Sequence, residues 1–252
     1  MLTTMSEDDW AVALRVFDAV RSRRGAKGRD DRKFLEALHY FTVNNIAWRA
    51  LPAEFGPWNS VWKRFWRLRE AGVFEAFFET LADLSETAHL VQMFDSTVVR
   101  AHVSAAGAKG GPTSGPWPLT RRVLDQDPPQ NRLRRRSLAF HLTGGEAADS
   151  PVFPLLLDLG PDITPRAALT DKGYDAKSNR SASRERSICP IIPTRSNAKN
   201  RPTFFPKLLY KKRARIEQTF GKLKRFKRVA LRCEKTANSF TSIVSLALAS
   251  SC

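Results

Sequence analysis

The texture of the chain changes near residue 90, and that change limits the architectures open to it. Before it, apolar residues recur at helical spacing. The pattern predicts helices over 6–24 and 31–47, the second with Phe34, Leu35, Leu38, Phe41 and Thr42 along one face. After it, short apolar runs alternate with helical stretches. Leu90 to Phe94 runs into Asp95 and on through Ser96-Thr97-Val98-Val99, a strand signal. Further strands are expected at 138–142, 167–170 and 188–192, with helices at 151–158, 175–186 and 236–249 and a long basic helix over 206–228. Helices first and alternation afterwards predict a small all-α domain over 1–88, followed by a mixed α/β domain over 89–252.

The end of the helical half has a finer pattern. Pro52, Gly56 and Pro57 mark a turn-rich link, and Asn59 or Ser60 can cap a helix that runs to about Arg69. Gly72 interrupts it, and Val73 to Leu84 resumes the period. Helix, short glycine turn, helix resembles a helix-turn-helix DNA-binding unit, with Lys63, Arg64 and Arg67 as candidate phosphate contacts. The tryptophans at 48, 58, 62 and 66 are expected mainly in the core.

Charge narrows the partner. The 252 residues carry a formal net charge of +17, too much for an ordinary enzyme of small molecules and fitting for a polyanion such as nucleic acid. No apolar run approaches the roughly 20 residues that span a bilayer, and Met1 to Trp10 lacks the apolar core of a signal peptide. Three scattered cysteines, Cys189, Cys233 and Cys252, form neither a disulfide framework nor a zinc pattern. A reduced, cytoplasmic setting close to the nucleoid is expected.

Two acids end predicted strands, Asp95 and Asp171, where a carboxylate is held rigidly and still faces loops. Alone, either could be a turn former or a helix cap. A third acid stands out by its surroundings: 206–228 contains ten Lys or Arg residues and one acid, Glu217. Tyr210, Arg213, Glu217 and Lys224 fall within a sector of about 60° on a helix, with Leu209, Ile216, Phe220 and Leu223 forming an apolar stripe beside them. One stripe packs on a core and the other is turned to a cleft.

These residues carry a family resemblance. Tyr210-x-x-Arg213-x-x-x-Glu217-x-x-x-x-x-x-Lys224 resembles the signature of DDE transposases from bacterial insertion sequences. So do Phe94-Asp95-Ser96-Thr97-Val98-Val99-Arg100-Ala101-His102 and Thr170-Asp171-Lys172-Gly173-Tyr174-Asp175. Trp48-Arg49-x-Leu51-Pro52 and Phe55-Gly56-Pro57-Trp58 are similar to the family's N-terminal region. The resemblance implies an RNase H-like catalytic domain with Asp95, Asp171 and Glu217 as the catalytic, metal-binding triad and Tyr210, Arg213 and Lys224 as its phosphate-binding companions. It implies Mg²⁺, with Mn²⁺ able to substitute, and DNA partners: the terminal inverted repeats and a target. A homodimer follows by analogy, since two ends are joined together. His102 is a lesser candidate for positioning water or substrate, and Asp149 is expected to cap a helix.

One stretch departs from the family. Between 112 and 136 the chain is aperiodic and rich in Pro and Arg, where the family has a second strand resembling Gly-Arg-Ser-Arg-Gly-Gly-Phe-x-Thr-Lys-Ile-His. A permitted codon choice for Leu124 to Pro129, shifted by one base, reads Trp-Thr-Lys-Ile-His. The segment is therefore expected to be translated out of frame, replacing a core strand, and the chain beyond Leu248 is shorter than the resemblance implies. Three readings follow: a cutting and joining transposase, an inactive remnant that only binds DNA, and a nuclease of the same fold.

Overall fold

In a computed structural model the chain is described over residues 4–21, 30–84, 91–99, 102, 105, 117–124, 137–143, 150–196, 204–211 and 213–250. Asp149, Cys252 and most of 104–136 lie outside these residues. Two compact units result: one takes 1–81, 99–115 and 222–252, the other 82–98 and 116–221. The expected division into 1–88 and 89–252 differs, because the C-terminal helices join the N-terminal ones.

The helical unit begins with α1 (Glu7–Val20), whose Ser6 hydroxyl accepts from the Asp9 N–H while Asp9 accepts from the Ser6 N–H. This reciprocal cap satisfies two otherwise orphan donors. α2 (Asp31–Asn44) follows, closed by Asn45 in the left-handed conformation. α3 (Trp58–Glu70) and α4 (Val73–Asp83) are joined through Ala71 and Gly72. Phe17 packs edge-on to Phe77, Phe41 stacks on Trp48 at 3.8 Å, and Phe65 stacks on Phe74.

Late helices complete this core. The last helix, Ala237–Ala249, is buried from Ser242 to its end, where it is apolar but for Ser242 and Ser245, and packs on α2. Arg69 bonds Ser239, and the Ser242 hydroxyl donates to Glu75 at 2.8 Å. The helix-turn-helix expectation meets an obstacle here. Its second member, α4, buries Val73, Phe74, Phe77, Phe78 and Leu81 and has no Lys or Arg. A helix of that kind is a core element, and the cations lie on α3. Nor are the tryptophans mainly core: Trp58, Trp62 and Trp66 are 37, 39 and 45% exposed, because α3 buries only the narrow stripe of Val61 and Phe65.

The second unit is an α/β layer around a five-stranded sheet of order β3-β2-β1-β4-β5. Its strands are β1 (Val91–Val99), β2 (Trp117–Leu124), β3 (Ser137–Leu142), β4 (Ala167–Leu169) and β5 (Cys189–Ile191). β1, β4 and β5 run parallel, and β2 is antiparallel to β3 with a register shift between Arg122 and Val123. Parallel neighbours need crossovers. α5 (Phe153–Asp158) and α6 (Lys177–Glu185) lie on the connections between parallel strands. The aperiodic 112–136 stretch supplies an internal strand.

Period-two alternation sorts the sheet's two faces. Phe94 and Ala168 join Phe153, Leu156, Tyr174 and Ile188 in one cluster. Met93, Ala167, Leu169 and Ile191 join Ile216 and Phe220 in the other. The basic segment that supplies the second cluster is not one helix over 206–228. It comprises α7 (Lys207–Lys211), α8 (Ala214–Leu223) and α9 (Lys227–Leu231), with three-residue hydrogen bonds at the breaks, as from Arg213 N to Tyr210 O and from Phe226 N to Leu223 O.

Candidate active site

The alternation that buries the sheet also aims its acids. Met93 and Leu169 are register partners on β1 and β4, and both face α8. Two residues further along each chain come Asp95 and Asp171, so the two carboxylates leave the sheet at one level and toward the same side. Asp95 is not at a strand end as expected, since β1 continues to Val99. Asp171 does follow its strand, and its carboxylate accepts the Gly173 N–H at 2.7 Å, capping a short 3₁₀ turn over 172–174.

α8 lays Ile216 and Phe220 on Met93, Leu169 and Ile191, which presents the neighbouring residues to the two acids. Arg213, at the break before α8, contacts all three carboxylates. One terminal nitrogen lies 3.1 Å from Asp95 Oδ2 and 4.0 Å from Asp171 Oδ2, and the other lies 3.3 Å from Glu217 Oε1. Tyr210 packs against the same apolar cluster, 5.2 Å from the Phe205 ring. The structure therefore brings together Asp95, Asp171, Tyr210, Arg213 and Glu217. Lys224 lies outside this group, exposed in the turn after α8 and in the helical unit.

Electrostatics follow from burial. Desolvation pushes the Asp95 carboxyl above its ordinary value, and nearby Asp171 adds to this, against the pull of the Arg213 guanidinium and the Ser96 N–H. The Tyr210 hydroxyl is raised too, first by burial and then by the three carboxylates, with Arg213 opposing. Beyond Asp171 an ordered loop holds the turn. Asp175 accepts from Arg180 at 2.8 Å and from the Arg195 N–H at 2.8 Å, and Arg195 reaches back to the Lys172 and Gly173 carbonyls. Burial alone would raise Asp175, but these donors outweigh it and hold it below the usual value. Sequence reasoning gave Asp175, Arg180 and Arg195 no role. Only the short Asp-Lys-Gly-Tyr-Asp run hinted at one.

The donor set suits a hard divalent cation, being three carboxylates without sulfur or imidazole. A monovalent cation, the guanidinium, already bridges them. They are not drawn into a closed cage: among the described residues no three acid, histidine or cysteine side chains stand close enough to hold an ion.

The remaining candidates lie in the helical unit. Lys63 and Arg67 are exposed on α3. Arg64 is mostly covered, paired with Asp31 and 4.1 Å over the Phe34 ring. The His102 main-chain N–H donates to the Leu231 and Arg232 carbonyls, which ties that residue to the helical unit. Cys189 and Cys233 are free, and no helix among the described residues is long and apolar enough to cross a membrane.

Both halves of the chain are similar to known proteins. Residues 5–78 match a family described as "Putative transposase of IS4/5 family", and residues 87–203 and 199–252 match one described as "Transposase DDE domain". The "Uncharacterized protein y4sN" of Sinorhizobium fredii is 35% identical over 118 residues, which are 45% of this chain and 91% of that protein. The "Putative transposase for insertion sequence element IS6501" of Brucella ovis is 45% identical over 85 residues, 32% of this chain and 62% of that protein. The second family match runs through the strands that lead to Asp95 and Asp171 and through the helix that carries Glu217, and by it the chain belongs to the DDE transposases of insertion sequences.

Proposed function

We propose that the chain is a transposase whose catalytic centre is Asp95, Asp171 and Glu217 in an RNase H-like unit. One observation carries the reading: the Met93–Leu169 register sets two acids level on adjacent parallel strands, and the guanidinium of Arg213 reaches both of them and Glu217. The strand order, with a parallel trio flanked by an antiparallel pair, fits that fold. DDE transposase domains work with divalent metal ions, and Asp95, Asp171 and Glu217 would hold Mg²⁺ or Mn²⁺ here. Bound ions stabilise negative charge on the attacking and leaving oxygens of a phosphodiester.

The chain's own residues do the rest. Arg213 keeps three mutually repelling acids together and offers its fork to the scissile or flanking phosphate when DNA arrives. Tyr210 is the accompanying phosphate contact, and Lys224, with Lys63 and Arg67 on α3, contacts the DNA backbone. Arg64, tied to Asp31, contributes less. Water attacks phosphorus at the transposon end and the 3′ oxygen leaves with a proton. The freed 3′ hydroxyl then attacks a target phosphodiester, forming a new P–O bond as the target's 3′ oxygen departs. The terminal inverted repeats and a target duplex are the substrates, and two copies of the chain hold the two ends.

Nicking of a labelled duplex in Mg²⁺ or Mn²⁺ tests this. Glu217→Gln is expected to abolish nicking while duplex affinity stays within about twofold of the parent. Equal nicking by variant and parent would remove Glu217 from the centre.

A second reading has its own support. β2 is internal to the sheet, yet its text is Trp-Pro-Leu-Thr-Arg-Arg-Val-Leu. Pro118 cannot donate to a ladder, and proline is otherwise confined to edges and bulges. That is the composition of a mis-framed segment over 112–136 and fits a remnant that binds DNA without cutting it. Restoring the frame by one base on either side is expected to replace β2 with text resembling the family's Gly-Gly-Phe-x-Thr-Lys-Ile-His strand, free of proline, and to raise the melting temperature. A gene in which no such shift yields the family's text defeats this alternative.

A further inference from the structure

α3 exposes a row of three tryptophans. Trp58, Trp62 and Trp66 are four residues apart, so they line one side of the helix, turning only about 40° from one to the next and rising about 6 Å each time. Burial does not explain them, since each keeps more than a third of its surface in solvent. Cations accompany the row. The Arg49 guanidinium lies 5.6 Å from the Trp58 ring and that of Arg69 lies 5.7 Å from the Trp66 ring, while Lys63 and Arg67 are exposed on the flank of the stripe.

We infer that this face binds single-stranded DNA, one base against each ring, with the phosphates running along Lys63 and Arg67. Aromatic rings take the face of any base, and a basic flank tracks the backbone, the pairing of features that unpaired strands require. Spacing separates this from duplex binding. A strand in a duplex advances about 3.4 Å per nucleotide with its bases shut in the stack, whereas rings borne on residues that rise about 6 Å along the helix axis suit an extended strand with its bases free. Charge separates it from an apolar partner: the stripe is narrow, bordered by cations, and set in a chain of net charge +17. The choice of DNA over RNA, and that alone, rests on the transposase reading. Unpaired bases arise wherever a transposon end is opened or nicked, so the face would hold a strand there.

The full chain is titrated against a labelled thymidine dodecamer and against an abasic dodecamer of the same length. The parent is expected to prefer thymidine by on the order of 10-fold or more, with quenching of tryptophan fluorescence by the thymidine strand alone. Trp62→Leu keeps apolar area but no ring, and should lose most of that preference while binding the abasic strand as before. Trp62→Tyr should retain it. Equal affinity of the parent for both strands, without quenching, overturns the inference, and this arm needs no variant to fold. Trp62→Leu with its preference intact overturns it too. So does a concentration-dependent dimer that Trp62→Leu abolishes while base preference stays unchanged, for then the face belongs to a second copy. A parent that prefers thymidine yet never nicks duplex DNA counts against the transposase reading and leaves this inference standing.

Discussion

Asp95 is an acid that the fold holds at some cost. Its folded carboxyl sits above the ordinary value because burial outweighs the help of Arg213 and Ser96. The unfolded chain titrates it near 3.9. The folded state therefore binds this proton more tightly than the unfolded state does. Stability declines as pH rises from about 4 through the folded value, and the full cost is present at neutral pH. Asp95→Asn should remove that cost. We expect a melting temperature higher by about 2–4 °C at neutral pH, the worth of roughly 1 kcal/mol in a chain of this size, narrowing as pH approaches 4, together with loss of nicking. A variant that melts lower than the parent at neutral pH would show that Arg213 stabilises the charge more than burial penalises it. On the proposed reading, the site trades stability for chemistry, as active centres generally do.

At the scale of elements, close approach decides which glycines can be replaced. Gly160 has φ 97°, and a Cβ there would stand 3.1 Å from the Leu138 carbonyl oxygen and 3.2 Å from Ala139 Cβ, on β3. Gly72, between α3 and α4, has φ 66° with open space around it. Gly160→Ala is expected to cost about 1–3 kcal/mol and Gly72→Ala about 1 kcal/mol, from strain alone. Equal shifts in thermal melts would mean that β3 gives way freely. Elements with a strong period of their own were legible in the sequence: β4, β5, α6 and the last helix fall within a residue or two of expectation. What escaped was set by tertiary context. β2 has no alternation to read and is a strand only because β3 and β1 flank it. The basic segment breaks before Ala214 and between Leu223 and Lys227 without a proline or a glycine at either break, the second break taking Phe226 into the helical core. At the site, the spacing of Tyr210, Arg213 and Glu217 on one stripe was readable. The shared guanidinium was not, because it depends on a strand register that no local pattern encodes.

At the scale of the whole molecule, charge governs association. With net charge +17, neutralising about 6 phosphates should give a log–log slope of affinity against salt near −5. Duplex titrations across a range of KCl measure it, and a slope near zero would remove nucleic acid as the partner. The path of the chain through its two units matters as much. The helical unit draws on both 4–81 and 222–250, with the sheet unit strung between. On the ribosome, α1 to α4 emerge long before the last helix that covers α2, so their apolar faces wait through the synthesis of the entire sheet unit. A nonsense mutation anywhere upstream of residue 237 would leave those faces bare and the product prone to clump or be degraded. Truncation late in the gene would thus silence the helical unit along with the rest, and no shortened chain would survive to accumulate.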